Sequence, residues 1–144
     1  MKLLTMIKNK IEEKTMNIQE KLNSKTNFDW ERLIRTEPLV KPIIDIIETA
    51  ESYIVKVYMP GVKKEDIFLK LHDDVLTVFG KVDLNHVEDA RFLHREKSYG
   101  HYFRQFTLSD KIDTLRIEAQ LDNGLLNIIL PKNEKVKTRF ITIN

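Results

Sequence analysis

IDTLRIEAQLDNGLLNIILPKNEKVKTRFITIN, residues 112–144, is the stretch whose reading decides the fold. Leu115, Ile117, Ala119 and Leu121 alternate with Arg116, Glu118 and Gln120, the period-two pattern of a half-buried strand. Asn123-Gly124 supplies the positive φ angles that a two-residue hairpin turn needs. Leu125 to Leu130 is the return strand. It is apolar on nearly every residue, which predicts a central position in a sheet. Pro131 ends it. A charged tether, Lys132 to Arg139, then leads to Ile141-Thr142-Ile143, whose two isoleucines point the same way from an extended chain. Such a pair suits docking on another surface. A last strand in the chain's own sheet is the alternative.

Working outward, short strands follow one another from Ile43 onward. Ile43–Glu48 is the first. Tyr53, Val55, Val57 and Met59 alternate with Ile54, Lys56 and Tyr58 in the second. Pro60-Gly61 is a turn signal, and Val62–Asp66 reads as a short irregular turn. Ile67, Leu69 and Leu71 share one face of the next strand, and Asp73-Asp74 turns the chain into Val75–Gly80. Residues 81–92 lack clean alternation, and a connection this long inside a small domain is usually functional or mobile. Phe92–Lys97 is read as room for a further short strand. Tyr102, Phe106 and Leu108 face the core from the following strand, which places Arg104 on the apolar face. A buried Arg there needs a carboxylate or carbonyls, and pairing with an acid such as Glu96 is expected, the sequence not naming the partner. Many short strands with turns between them and no helical run predict an all-β, immunoglobulin-like sandwich.

Three regions result: an N-terminal arm (1–42), the sandwich (43–132) and a C-terminal extension (133–144). In the arm, Leu4, Ile7, Ile11, Ile18 and Leu22 recur at helical steps, predicting an amphipathic helix over 1–25. It is read either as a surface helix packed on the domain or as an arm ordered only against another subunit or a client. Lying on a membrane is disfavoured, because Glu12, Glu13 and Glu20 dilute the basic face. Phe28, Trp30, Leu33 and Ile34 form an apolar cluster before Pro38 and Pro42, either a satellite cluster under the arm or a patch that binds other proteins.

Composition excludes more than it assigns. There is no cysteine, so no disulfide framework or thiolate metal site is expected, which suits a reducing compartment. The apolar run before Lys8 is too short for a signal peptide and no run approaches a membrane span, so the protein is read as cytoplasmic. Twenty-four basic residues nearly balance 22 acidic ones. Residues 1–42 hold nine Lys or Arg against six Asp or Glu, short of the basic footprint of a nucleic-acid binder. The four glycines are scattered, with no phosphate-cradling loop. His72, His86, His94 and His101 lack metal-ligand spacing and are expected to be exposed strand or loop residues. No catalytic set, metal or cofactor is expected.

Three blocks then resemble one family in order and spacing. They are Asp45-Ile46-Ile47-Glu48 with Met59-Pro60-Gly61-Val62-Lys63-Lys64-Glu65-Asp66-Ile67; Arg95-Glu96-Lys97-Ser98-Tyr99-Gly100 with Tyr102, Arg104, Phe106 and Leu108; and Ala119-Gln120-Leu121-Asp122-Asn123-Gly124-Leu125-Leu126 with Leu130-Pro131-Lys132 and the terminal Ile-x-Ile. Together they resemble the small heat-shock proteins, whose core is the α-crystallin domain, over about residues 43–144. Ser109 stands where the family usually has Pro, and Lys97 where it commonly has Arg.

The resemblance implies an ATP-independent holdase that binds partly unfolded clients from a large, exchanging homo-oligomer and leaves release to ATP-dependent chaperones. It implies a strand-exchanged dimer through residues 82–97, with Arg95, Glu96 and Arg104 at the dimer contact; a flexible loop on a monomer is the alternative. It implies that Ile141 and Ile143 dock in a groove of another subunit lined by Ile67, Leu69, Leu71, Ile117, Ala119 and Leu121. Phe28, Trp30, Leu33 and Ile34 are then the client-binding arm. A β-sandwich adaptor or co-chaperone module is the competing class.

Overall fold

The computed structural model describes residues 29–85, 90–136 and 138–144. The chain divides into two compact units, Met1–Leu33 and Ile34–Asn144. The helix predicted over 1–25 and Phe28 of the apolar cluster lie outside the described residues. Helix α1, Trp30–Thr36, opens on Asp29, whose carboxylate accepts a hydrogen bond from the Arg32 N–H at 3.0 Å, satisfying one of the free amides of the first turn.

Among its described residues the second unit holds eight strands: β1 Leu39–Val40, β2 Ile44–Glu48, β3 Ser52–Tyr58, β4 Ile67–His72, β5 Val75–Gly80, β6 His101–Thr107, β7 Glu118–Asp122 and β8 Leu125–Pro131. They form two four-stranded sheets, in the orders β1-β6-β5-β4 and β2-β3-β8-β7. All pairings are antiparallel except β1 with β6. The expected sandwich is present. β8 is central, between β3 and β7, as its two-faced apolar sequence predicts. Among the described residues sheet pairing begins at Leu39, inside the stretch read from sequence as arm, so the prolines at 38 and 42 bracket a strand.

Alternation becomes a core directly. Val55, Val57 and Met59 of β3 and its exit meet Leu126, Ile128 and Leu130 of β8 from one sheet, and Leu76 and Val78 of β5 and Tyr102 of β6 from the other. Val57, Met59, Val78 and Ile128 are fully buried. Each Val, Leu or Ile so buried contributes about 1.5–3 kcal/mol relative to exposure. The two hairpins use left-handed backbone at their turns: Asp73 and Asp74 have φ of 48° and 61°, and Asn123 and Gly124 have 47° and 78°. These turns match the right-handed twist of paired strands.

One strand starts later than the alternation suggests. Residues Thr114–Arg116 form a 3-10 turn, and Leu115 is 95% exposed instead of facing inward. The Asp113 carboxylate accepts from the Leu115 N–H at 3.2 Å and from Arg116 Nε at 2.6 Å. That local capping outcompetes extension, so β7 begins only at Glu118.

Candidate functional site

Tyr102 Oη lies 3.3 Å from the Pro60 carbonyl oxygen, which sets β6 of one sheet over the end of β3 in the other. β4 is an edge strand of one sheet and β7 an edge strand of the other. Their inward positions are the expected groove residues. Leu69, Leu71 and Ile67 pair with Val78, Leu76 and Gly80; Ala119 and Leu121 pair with Ile128 and Leu126. The partners on β5 and β8 are buried, but Leu71 is 40% exposed and Ala119 is exposed. Leu69, Ile117 and Leu121 are half-buried against the core. Leu71 and Ala119 are therefore left uncovered in the single chain, one on each of these edges. Ile67 differs from the rest: it is buried and belongs to the core, because it sits where β4 leaves the turn over Val62.

The tail forms no strand over residues 138–144. Phe140, Ile141 and Ile143 are 99%, 81% and 92% exposed, so the isoleucines do not complete the chain's own sheet.

In the sheet β2-β3-β8-β7, β2 is the edge opposite β7, with no strand beyond it among the described residues. Ile43 is 75% exposed, Ile46 59% and Ile47 42%. The edge carries two polar ties. Lys132 Nζ donates to the Glu48 carboxylate at 2.8 Å, and that hydrogen bond holds the Glu48 carboxyl below its usual range. Tyr58 Oη donates to Asp45 at 2.8 Å, and that carboxylate pushes the phenol's pKa up.

The connection from β5 to β6 carries Phe92 and Leu93, both exposed. Its described residues hold no strand, so the segment Phe92–Lys97 stays irregular within the single chain. Arg95 lies over the Phe92 and Tyr99 rings, 5.2 and 5.7 Å from their centroids, and Tyr99 Oη donates to the Leu84 carbonyl at 2.7 Å.

Arg104 does not pair with Glu96. It is half-buried, donates through one guanidinium nitrogen to the Pro42 carbonyl at 3.0 Å, and lies 5.7 Å from the Phe106 ring centroid. Glu96 is exposed, 3.8 Å from His94. The carbonyl satisfies a guanidinium donor without a second buried charge, so no carboxylate is needed.

The expectation that all histidines are exposed fails at His101. His72 and His94 are exposed and His86 lies outside the described residues, but the His101 side chain is 1% exposed. Nothing in its neighbourhood along the chain signals this, because its hydrogen-bond partners are Glu37 and Val82. Trp30, Leu33 and Ile34 are half-buried. Among the described residues, no group of three or more His, Cys, Asp or Glu is placed to hold a metal, and no helix is long and apolar enough to cross a membrane.

Two sheets ordered in this way and trailing an exposed Ile-x-Ile can be set beside known proteins. The model of the Hsp20/alpha crystallin family matches residues 45–144. This chain belongs to the Hsp20/alpha crystallin family. The Hsp20 relatives include spore protein SP21 of Stigmatella aurantiaca, 35% identical over 118 residues, which cover 81% of this chain and 70% of that protein. Small heat shock protein C2 of Rickettsia felis is 35% identical over 109 residues, 75% of this chain and 71% of that one. Among solved Hsp20 structures, heat shock protein 16.0 from Schizosaccharomyces pombe is 38% identical with a TM-score of 0.58, covering 73% of this chain and 99% of that one. A small heat-shock protein from Xylella fastidiosa, described as having a distinct high order structure, is 27% identical with a TM-score of 0.59 over 73% of this chain and 97% of that one. The Hsp20 match places the chain in a chaperone family, and the resemblance read from the three sequence blocks is correct.

Proposed function

We propose that this protein is an ATP-independent, non-enzymatic holdase. It captures partly unfolded proteins in the cytoplasm from a large, exchanging homo-oligomer, uses no cofactor, and passes clients to ATP-dependent chaperones for release. The observation that supports the reading is that the Ile141-x-Ile143 tail is exposed while Leu71 and Ala119 lie uncovered on the β4 and β7 edges. The tail of one subunit adds along a groove edge of another, with Ile141 and Ile143 filling positions beside Leu69, Leu71, Ile117, Ala119 and Leu121.

Burying two isoleucines gives about 3–6 kcal/mol gross. Association entropy removes much of it. A single link is therefore weak, and many links in one particle hold through effective concentration while each still opens. Dimers form first, by exchange of residues 82–97 onto the partner's β2 edge. The exposed Ile43, Ile46, Ile47, Phe92 and Leu93 support that step, since each lies uncovered in the single chain. Arg95 and Glu96 act at that contact, and Arg104 braces it through Pro42. Client capture uses Phe28, Trp30, Leu33 and Ile34 together with the opened groove, because an unfolding protein offers apolar surface and unpaired strand edges.

Light scattering from a heat-denaturing model client, with purified protein and no ATP, tests the holdase. Suppression near stoichiometric amounts supports it. No suppression, even after warming to loosen the particle, moves the function to a sandwich adaptor.

A further inference from the structure

His101 opens β6 with its side chain on the outer face of the sheet, yet it is buried. Three segments meet at its ring. The Phe79 ring of β5 packs against it, 5.4 Å between centroids. The Val82 N–H, just past the end of β5, donates to Nδ1 at 2.9 Å. The Glu37 carboxylate, just before β1, lies at Nε2. A main-chain N–H can only donate, so Nδ1 is the bare, accepting nitrogen. The proton sits on Nε2 and is given to Glu37, which makes the ring neutral in this arrangement.

We propose that His101 is a proton-operated latch on the exit of β5. Protonation at Nδ1 sets one N–H against another and breaks the Val82 bond. The other side of the ring keeps its donor, and its contact with Glu37 becomes a charged pair. The same event therefore frees Val82 while leaving Glu37 held. Glu37 is the charged group in hydrogen-bond contact with the ring; Phe79 brings no charge, and Lys81 and Asp83 flank Val82 along the chain. Protons have a route in, because the Glu37 side chain is 39% exposed and lines a surface cleft of about 510 Å³ with Pro38, Leu84 and Tyr99.

The consequence for assembly rests on the dimer reading above. Val82 is the root of the segment that would reach the partner, so opening it speeds subunit exchange.

Hydrogen–deuterium exchange on the full chain, corrected for intrinsic rates, tests the latch. Between about pH 8 and about pH 5.5, imidazole titrates while ordinary carboxylates stay ionised. The Val82 amide should lose about tenfold in protection across that window, the loss of one hydrogen bond. The His101 amide, which donates to the Pro38 carbonyl at 2.9 Å, should hold its protection. In His101→Gln the amide side chain can accept and donate but cannot titrate, so Val82 should show no such loss. Equal protection at both pH values in the wild type, or an equal loss in His101→Gln, overturns the latch. Should His101→Gln fail to fold, nitrogen-15 solid-state spectra of the sedimented wild type decide: a neutral Nε2–H imidazole at about pH 8 supports the latch, and an Nδ1–H imidazole overturns it. Opening of Val82 without faster subunit exchange keeps the latch and removes the dimer reading.

Discussion

Arg104 reaches across the sandwich to the carbonyl of Pro42, 3.0 Å away, and so ties β6 of one sheet to the lead-in of β2 in the other. Pro42 is buried, and the guanidinium also covers the Phe106 ring. Arg104→Ala should strand that carbonyl, at about 1–3 kcal/mol. Arg104→Lys should recover only part, because an ammonium cannot both lie flat on a ring and aim a fixed donor. Denaturant midpoints at unchanged slope would measure both. Equal stability of Arg104→Ala and wild type would show that the tie contributes nothing.

Ile141→Ala with Ile143→Ala should yield smaller particles with an unchanged melting temperature, because both side chains lie outside the core of their own subunit. Light scattering coupled to size-exclusion chromatography, with circular dichroism on the same fractions, separates assembly from folding. A lower melting temperature with unchanged particle size would contradict the docking assignment.

Gly100 has φ of 151°, and a Cβ there would stand 2.5 Å from the Pro38 carbonyl oxygen. Main chain must move to admit it. Gly100→Ala should therefore push β1 off β6 and cost more than about 1 kcal/mol. The sensitive readout is faster hydrogen exchange at the His101 amide, which donates to that same carbonyl. Unchanged exchange there would mean β1 tolerates displacement.

The Arg116 hydrogen bond holds the Asp113 carboxyl below its usual range, against the opposing effect of desolvation. A depressed acid favours the folded state above its unfolded value, about pH 4, and that contribution disappears as pH falls through the folded value. Asp113→Asn should lower the melting temperature at neutral pH, and the gap to wild type should close below about pH 4. A gap that persists at acid pH would assign the effect to geometry rather than charge.

How far the sequence could be read follows from where each partner lies. Tyr53 to Met59, Ile67 to Leu71 and Leu125 to Leu130 carry their own alternation, and Asn123-Gly124 carries its own turn, so strands and hairpins were legible. The inward facing of Leu69, Leu71, Ala119 and Leu121 was legible, because parity follows from alternation, whereas the depth of Ile67 beside a turn was not. Leu115 was misread, since the side chain of Asp113 competes with extension and a binary pattern does not record that. β1 is two residues long and held by contacts to β6. Arg104 and His101 were opaque for one reason: their partners lie 62 and 64 residues away, and one of those partners is a main-chain carbonyl.

Under the proposed docking, the segment between Pro131 and Ile141 is a leash. Fully extended from Lys132 to Ile141 it spans at most roughly 30 Å, and the 3-10 turn at Glu134–Val136 shortens it. Under the proposed docking, only grooves inside that radius can be reached, so the length of this segment would filter which arrangements of subunits can close. Adding or removing residues between Lys132 and Arg139 would alter particle geometry without touching either docking surface.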